Sequence, residues 1–195
     1  TFICQREHCH RFDLEALLRA LAPRSNIISI EHPTEGALCT VLLAADYINN
    51  TEPLLIANSD QLVDFDAPAL IEDAIARDLD GSILTFQAGD PKWSYAEAGP
   101  DGMVTRVAEK DPISTHATVG IYYFREGRMF IEGAIAMIAK DIRVNSEFYV
   151  CPVFNELILT GKRIGILEIS PWAMHGLGTP QDLQAYESAQ AELCH

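Results

Sequence analysis

The sequence predicts a single α/β domain spanning residues 1–195 and built around a mostly parallel sheet. Three observations carry that expectation. Apolar runs of strand length alternate with stretches of helical periodicity, the order that βαβ units produce. With 195 residues and 48% hydrophobic content, the chain can bury one substantial core without a linker or a second domain. The run Glu52-Pro53-Leu54-Leu55-Ile56-Ala57 stops abruptly at Asn58-Ser59-Asp60-Gln61, as a buried strand does when it delivers its last residues to a surface.

Taken in order, Thr1 to Cys4 reads as a strand. Asp13 reads as a helix cap before Leu14, Leu17, Leu18 and Leu21, whose spacing makes an apolar stripe. Ile27, Ile28 and Ile30 give a second strand, and after a His32-Pro33 turn the stretch from Gly36 to Tyr47 reads as helical. The strand leading to Asp60 follows, then a helix over Leu70 to Leu79 and a strand over Ser82 to Phe86. Pro91 to Lys110 reads as two short strands around a Pro100-Asp101-Gly102 turn. Tyr122 and Phe124 are core residues of a strand within Ala117 to Phe124. Met129 to Ala139 and Phe154 to Leu159 read as helices and Arg163 to Ile169 as a strand. Thr179-Pro180-Gln181-Asp182 supplies a cap, a first-turn proline and an acidic third position.

The formal net charge of -14 argues against duplex nucleic acid or an anionic membrane surface as partner, since both are bound through clustered Lys and Arg. No stretch approaches the roughly 18 consecutive apolar residues that span a bilayer, and no secretory signal opens the chain. A cytoplasmic protein is the expectation. Cys4, Cys9, Cys39, Cys151 and Cys194 are odd in number and scattered, which fits reduced thiols, with Cys151 as a small buried hydrophobe. Cys4, His8, Cys9 and His10 suggest zinc, but no second pair stands at finger-like spacing, and a strand followed by a polar loop explains them. Cys194-His195 is too short a tail to interpret.

Asp60 is the first candidate site residue. Ligands of open α/β sheets bind beyond the carboxyl ends of the strands, where a carboxylate can hold a cation that bridges to a phosphate. Asp60 is therefore a candidate Mg²⁺ ligand, the alternative being an ordinary polar loop. Gly36, opening a helix in Thr34-Glu35-Gly36-Ala37-Leu38-Cys39-Thr40, would let backbone approach a flat ligand such as a nucleotide base, or simply permit the turn.

With Asp60, the Pro91 to Lys110 hairpin ending in Glu109-Lys110, the Ala117 to Phe124 strand and Gly178-Thr179-Pro180-Gln181-Asp182-Leu183, the chain resembles the sugar-phosphate nucleotidyltransferases, or nucleotide-sugar pyrophosphorylases. The resemblance runs from near residue 1 to about residue 186. It implies the nucleotide-diphospho-sugar transferase, Rossmann-like fold, with a mixed and mostly parallel sheet. It also implies nucleotidyl transfer: a nucleoside triphosphate and a sugar 1-phosphate, or a similar phosphorylated alcohol, give a nucleotide-sugar and pyrophosphate with Mg²⁺ as cofactor. The implied roles are nucleotide contact for Gly36, metal ligation and nucleotide binding for Asp60, sugar hydroxyls for Glu109 and sugar phosphate for Lys110. Thr118 and Gly120 would lie against the nucleotide-sugar, and Glu147 would bind sugar hydroxyls. Glu147 reads equally as a first-turn helix acid stabilised by the dipole.

Four departures accompany the resemblance. Thr34 stands where the family has proline before the base-contacting glycine. Asp111 intrudes between Lys110 and Pro112. Gly176 replaces the second metal-binding aspartate, with His175 beside it, and imidazole is a poor Mg²⁺ ligand. The family's first strand and glycine-rich phosphate loop have no counterpart, so the chain is expected to be N-terminally truncated, with catalysis assigned to a longer parent. Two other readings stay open. One is a glycosyltransferase using Asn58-Ser59-Asp60 as a variant Asp-x-Asp motif, and the other is a non-catalytic domain that senses nucleotide-sugar. Exposed apolar helix faces could serve a homo-oligomer or be surfaces bared by truncation.

Overall fold

The structure is a computed structural model that describes residues 1–193; the Cys194-His195 tail lies outside the described residues. Strand β1 (Phe2–Gln5) pairs in parallel with β2 (Ile27–Ile30), with Ile3 opposite Ile28. Between them run α1 (Arg6–Phe12) and α2 (Leu14–Leu21), separated by Asp13 at a φ of 48°. The polar loop expected around His8, Cys9 and His10 is therefore helix α1. No residue of α1 is buried, so it carries no apolar periodicity to betray it. The stripe on α2 forms as expected, yet Leu17 and Leu21 are exposed.

The helix expected from Gly36 to Tyr47 is two short ones, α3 (Ala37–Leu42) and α4 (Ala45–Ile48), because Ala44 at φ -91° and ψ 11° interrupts the helical path. The chain continues through β3 (Leu54–Ala57), β4 (Gln61–Val63), α5 (Ala67–Ala76), β5 (Gly81–Gln87), β6 (Ser94–Ala98), β7 (Val104–Glu109) and β8 (His116–Phe124). It closes with α6 (Gly127–Ala139), α7 (Val153–Leu159), β9 (Ile164–Glu168), β10 (Met174–Gly176) and α8 (Pro180–Leu193). The expected cap of α8 is made in full: the amide of Asp182 donates to Thr179 Oγ1, whose hydroxyl donates to the Asp182 carboxylate.

The main sheet has six strands in the order β7-β6-β8-β5-β9, with β3 beside the far half of β8. It is mixed, as the sequence implies. β3, β5, β6 and β9 run one way and β8 and β7 the other, so four of the six strands are parallel in direction. Neighbouring pairs are nonetheless mostly antiparallel, because β8 lies between β3, β5 and β6 and runs against all three. Alternation along the strands divides the core in two. Ile83, Tyr122 and Phe124 pack with Phe130, Phe154 and Leu157 of α6 and α7, while Leu84, Val119 and Tyr123 pack with Leu70 and Ala74 of α5. Both faces of the sheet are thereby covered by helices.

Two strands each keep one edge unpaired among the described residues. β1 pairs only with β2 and β3 only with β8, and both contribute to the walls of one slot of about 1010 Å³. Among the described residues no helix is long and apolar enough to cross a membrane.

Candidate active site in the slot between the sheet edges

Asp60 reaches the slot because β3 ends at Ala57 and the chain then turns. The Asn58 amide donates to the Gly120 carbonyl at 2.9 Å, and the Leu177 amide donates to the Asp60 carbonyl at 2.8 Å. The second of these bonds fixes Asp60 beside the Gly-Thr-Pro segment: Asp60 Oδ2 lies 3.1 Å from where a Cβ on Gly178 would sit. Two motifs far apart in sequence thus form one corner, held by the short β4–β10 ribbon in which Gln61 faces Gly176. The Asp60 side chain itself is exposed and lines the slot. Gly176 also lines it, whereas His175 points the other way, 3.1 Å from Asp64 and beside Tyr186. That geometry keeps the imidazole out of the slot.

The second wall comes from β7. Lys110 follows the strand at a φ of 55°, and its amide donates to the Trp93 carbonyl at 3.0 Å, which pins the backbone where the strand ends. Its ammonium group donates to the Tyr149 hydroxyl at 2.7 Å. Glu109 is half-buried, and its carboxylate accepts from the Ser94 hydroxyl at 2.5 Å. Burial pushes Glu109 above the usual carboxylate range, against the Ser94 hydrogen bond and the nearby Lys110 charge. The Tyr149 hydrogen bond holds Lys110 firmly in its charged form.

β8 pairs with both β3 and β6 and carries Thr118 and Gly120 into the slot. Thr118 is buried, with its hydroxyl 3.1 Å from that of Tyr122. Gly120 sits at a φ of 84° with the Asn58 side-chain nitrogen against it, 2.5 Å from where a Cβ would stand, so the position favours glycine in both backbone and space. Cys151 forms part of the floor; its burial raises the thiol and keeps it protonated.

Two expectations change. Gly36 does not line the slot, although its neighbours Ala37 and Thr40 do. Its φ of 116° and the backbone of Phe148, whose carbonyl oxygen lies 2.4 Å from a built Cβ, make it a packing glycine at the join of two loops. Glu147 lies in a turn with Val144, outside any helix, so the dipole reading falls away. It stands at the rim, accepting from the Tyr149 hydroxyl at 2.6 Å. The structure therefore brings Asp60, Glu109, Lys110, Thr118 and Gly120 to one slot, with Glu147 joined through Tyr149.

Sequence reasoning missed Ser94, Tyr149 and Lys92. Lys92 lines the slot and stands 3.7 Å from Asp182. Ser94 had one legible signal, its place at the start of a strand whose partner ends in Glu109; the register Ser94↔Glu109 sets the two opposite each other. Lys92 and Tyr149 had none, since only the tertiary fold brings them near the rest.

A mixed sheet covered by helices on both faces thus carries a carboxylate, an ammonium group and hydroxyls around one slot. The chain belongs to the nucleotidyl transferase family, whose family model matches residues 1–148. The fold is shared with the nucleoside-diphosphate-sugar pyrophosphorylase of Vibrio cholerae RC9, at 23% identity and TM-score 0.81 over 95% of this chain and 78% of that one. A protein from Bacillus anthracis described as a glucose-1-phosphate thymidylyltransferase aligns at 18% identity and TM-score 0.73 over 96% of this chain and 74% of that one. The inositol-1-phosphate CTP transferase from T. maritima aligns at 13% identity and TM-score 0.68 over 95% and 73%. Among curated proteins none matches the chain.

Proposed function

We propose that the chain joins a nucleoside triphosphate to a sugar 1-phosphate, or a similar phosphorylated alcohol, with release of pyrophosphate. One observation carries the reading: Asp60 from the end of β3 and Glu109-Lys110 from the end of β7 line the same slot, with Thr118 and Gly120 of β8 in its wall. In the reaction an oxygen of the acceptor phosphate attacks the α-phosphorus in line. The bond from that phosphorus to the bridging oxygen breaks, and its electron pair leaves with pyrophosphate. No covalent protein intermediate is required, so positioning and charge stabilisation do the work.

Lys110 is suited to the acceptor phosphate, since an ammonium group is a compact charge with three donors. Glu109 and Glu147 are acceptors for the hydroxyls of the same substrate. Thr118 and Gly120 form the wall against which the nucleotide-sugar would lie.

Mg²⁺ belongs to the same proposal. Among the described residues no cluster of three or more His, Cys, Asp or Glu could enclose a metal ion. Mg²⁺ needs no such cage; it is typically held by one or two carboxylates with substrate phosphates and water completing the shell. The exposed Asp60 carboxylate fits that requirement as the protein's ligand. Such an ion supplies neutralisation of charge on the α-phosphate.

The test is pyrophosphate release from the chain with Mg²⁺, each nucleoside triphosphate and a panel of sugar and polyol phosphates. Release with one pairing, abolished in Asp60→Asn, is the expected result. Selective binding of a nucleotide-sugar without release for any pairing would replace catalysis by a sensing role. Absence of both binding and release would overturn the reading.

A further inference from the structure

We infer that Tyr149 is a positioning residue that aims Lys110 and ties it to Glu147; the inference rests on the reading of Lys110 as the group that meets the acceptor phosphate. The geometry is a relay of three side chains. Lys110 Nζ donates to the Tyr149 hydroxyl at 2.7 Å, and that hydroxyl donates onward to Glu147 Oε2 at 2.6 Å. A phenol is the one neutral side chain that can accept from an ammonium group and donate to a carboxylate through a single oxygen held on a rigid ring. The relay joins groups 37 residues apart in sequence into one unit, with Lys110 in the slot wall and Glu147 at its rim.

Apart from the relay, the Lys110 ammonium group has only a looser contact with the Tyr149 ring, 4.9 Å from its centroid, to direct it. Its backbone is fixed by the bond to Trp93, but its side chain is long and exposed, and such a chain samples many rotamers. Tyr149 is better anchored. It lines the slot between Phe148 and Val150, which are both buried. Phe148 is clamped by two backbone bonds, its amide donating to Glu35 at 2.8 Å and its carbonyl accepting from Leu38 at 3.0 Å. The Arg143 guanidinium covers the Phe148 ring at 3.9 Å from its centroid. Rigidity thus passes from the Gly36 loop through Phe148 to Tyr149, and from its hydroxyl to a flexible ammonium group.

A consequence for the substrate follows. An ammonium group has three donors, so Lys110 can serve the acceptor phosphate while keeping its bond to the Tyr149 hydroxyl, and that hydroxyl keeps the Glu147 carboxylate oriented for a sugar hydroxyl. Tyr149 therefore bears on the phosphorylated acceptor and not on the triphosphate.

Tyr149→Phe tests this, because it removes one oxygen and leaves the ring that packs at the slot. First, acylation of Lys110 by an amine-reactive ester, followed by mass spectrometry, should run several-fold faster in the variant than in the wild type. The lost bond both frees the amine and removes what holds it charged. An unchanged rate overturns the tether, and this arm reads out whether or not the chain turns over. Second, titration calorimetry with glucose 1-phosphate as probe should show about tenfold weaker binding, the size of one hydrogen bond to a charged group, with nucleoside triphosphate binding unchanged. Equal weakening of both ligands, or of neither, overturns the positioning role. A wild type that binds no sugar phosphate at all is instead the failure of the functional reading, and the acylation arm then decides the tether by itself. Melting temperatures of the two proteins within about 2 °C exclude a merely structural effect for a chain of this size.

Discussion

Substituting Gly36 by Ala should destabilise the whole protein, although the residue lies in a half-buried turn outside the core. Its φ of 116° with ψ of 172° belongs to a region that only glycine enters readily, and forcing an L-residue there costs on the order of 1–3 kcal/mol. The added methyl would stand 2.4 Å from the Phe148 carbonyl oxygen and 2.7 Å from its nitrogen, and both neighbours are backbone that cannot rotate away. Relief requires moving the Phe148 segment outward, at an overpacking cost of about 1–3 kcal/mol. That movement also stretches the bonds Phe148 makes to Glu35 and Leu38. The sum is about 4 kcal/mol. In a chain of this length it should lower the melting temperature by about 8–16 °C, measured by calorimetry or circular dichroism. Gly161→Ala is the control: its φ is 80°, and a Cβ there meets nothing within 4 Å, so only the backbone cost of about 1–2 kcal/mol applies. If Gly36→Ala melts no lower than Gly161→Ala, the backbone clash with Phe148 is not real and the loop join has been misread.

Asp60→Asn should reduce Mg²⁺-dependent pyrophosphate release at least about 100-fold, as loss of an oriented charge at a phosphoryl centre does, while leaving the melting temperature unchanged because the side chain is exposed. A loss of stability in that variant would recast Asp60 as structural. Glu109 gives a pH signature. Its folded pKa is raised by burial, so the stability it contributes is present below the ordinary carboxylate value and lost as pH rises through the raised one. Urea unfolding should therefore show Glu109→Gln gaining on the wild type between acid and neutral pH, and a difference independent of pH would contradict the burial argument. Phe154→Ala should cost about 3–5 kcal/mol in the same assay. The ring is fully buried and stacks on Phe124 with centroids 4.7 Å apart, and a loss under 1.5 kcal/mol would mean that this half of the core collapses around the gap.

What was legible in the sequence follows from how locally each feature is determined. The strand delivering Asp60 shows itself in four consecutive residues, and so does the cap of α8, because strand burial and capping are local physics. Helix α1 is silent because it buries nothing, and a helix without an apolar face has no period to read. β4 and β10 are three residues each and exist only because they find each other across more than a hundred positions. The central place of β8 was equally hidden: its composition announces a strand, but strand order depends on which edges remain to be paired. The site repeats the pattern. Asp60, Glu109 and Lys110 lie at or just past the ends of readable strands and Thr118 and Gly120 lie within one, whereas Tyr149 and Lys92 join them only through the fold, and Gly36 packs on Phe148.

Charge sets the remaining condition on the site. Among the described residues the slot presents two ammonium groups, Lys92 and Lys110, and two carboxylates, Asp60 and Glu109, in a chain whose formal net charge is -14. Neither ammonium group is free of anionic company: Lys92 lies 3.7 Å from Asp182, and Lys110 is tied through Tyr149 to Glu147. Under the proposed function a triphosphate and a sugar phosphate would together bring several negative charges into this nearly neutral space, where unit charges 4 Å apart interact at about 4 kcal/mol for an effective dielectric constant near 20. Lys110 can balance part of one phosphate and no more. The proposed function therefore needs cationic charge that arrives with the substrate, and it assigns the exposed Asp60 carboxylate to receive that charge. On this argument affinity for a triphosphate should rise steeply with Mg²⁺ in the wild type and be nearly flat in Asp60→Asn. Without magnesium Asp60→Asn should bind nucleotide more tightly than the wild type, because it lacks a carboxylate that repels the phosphates.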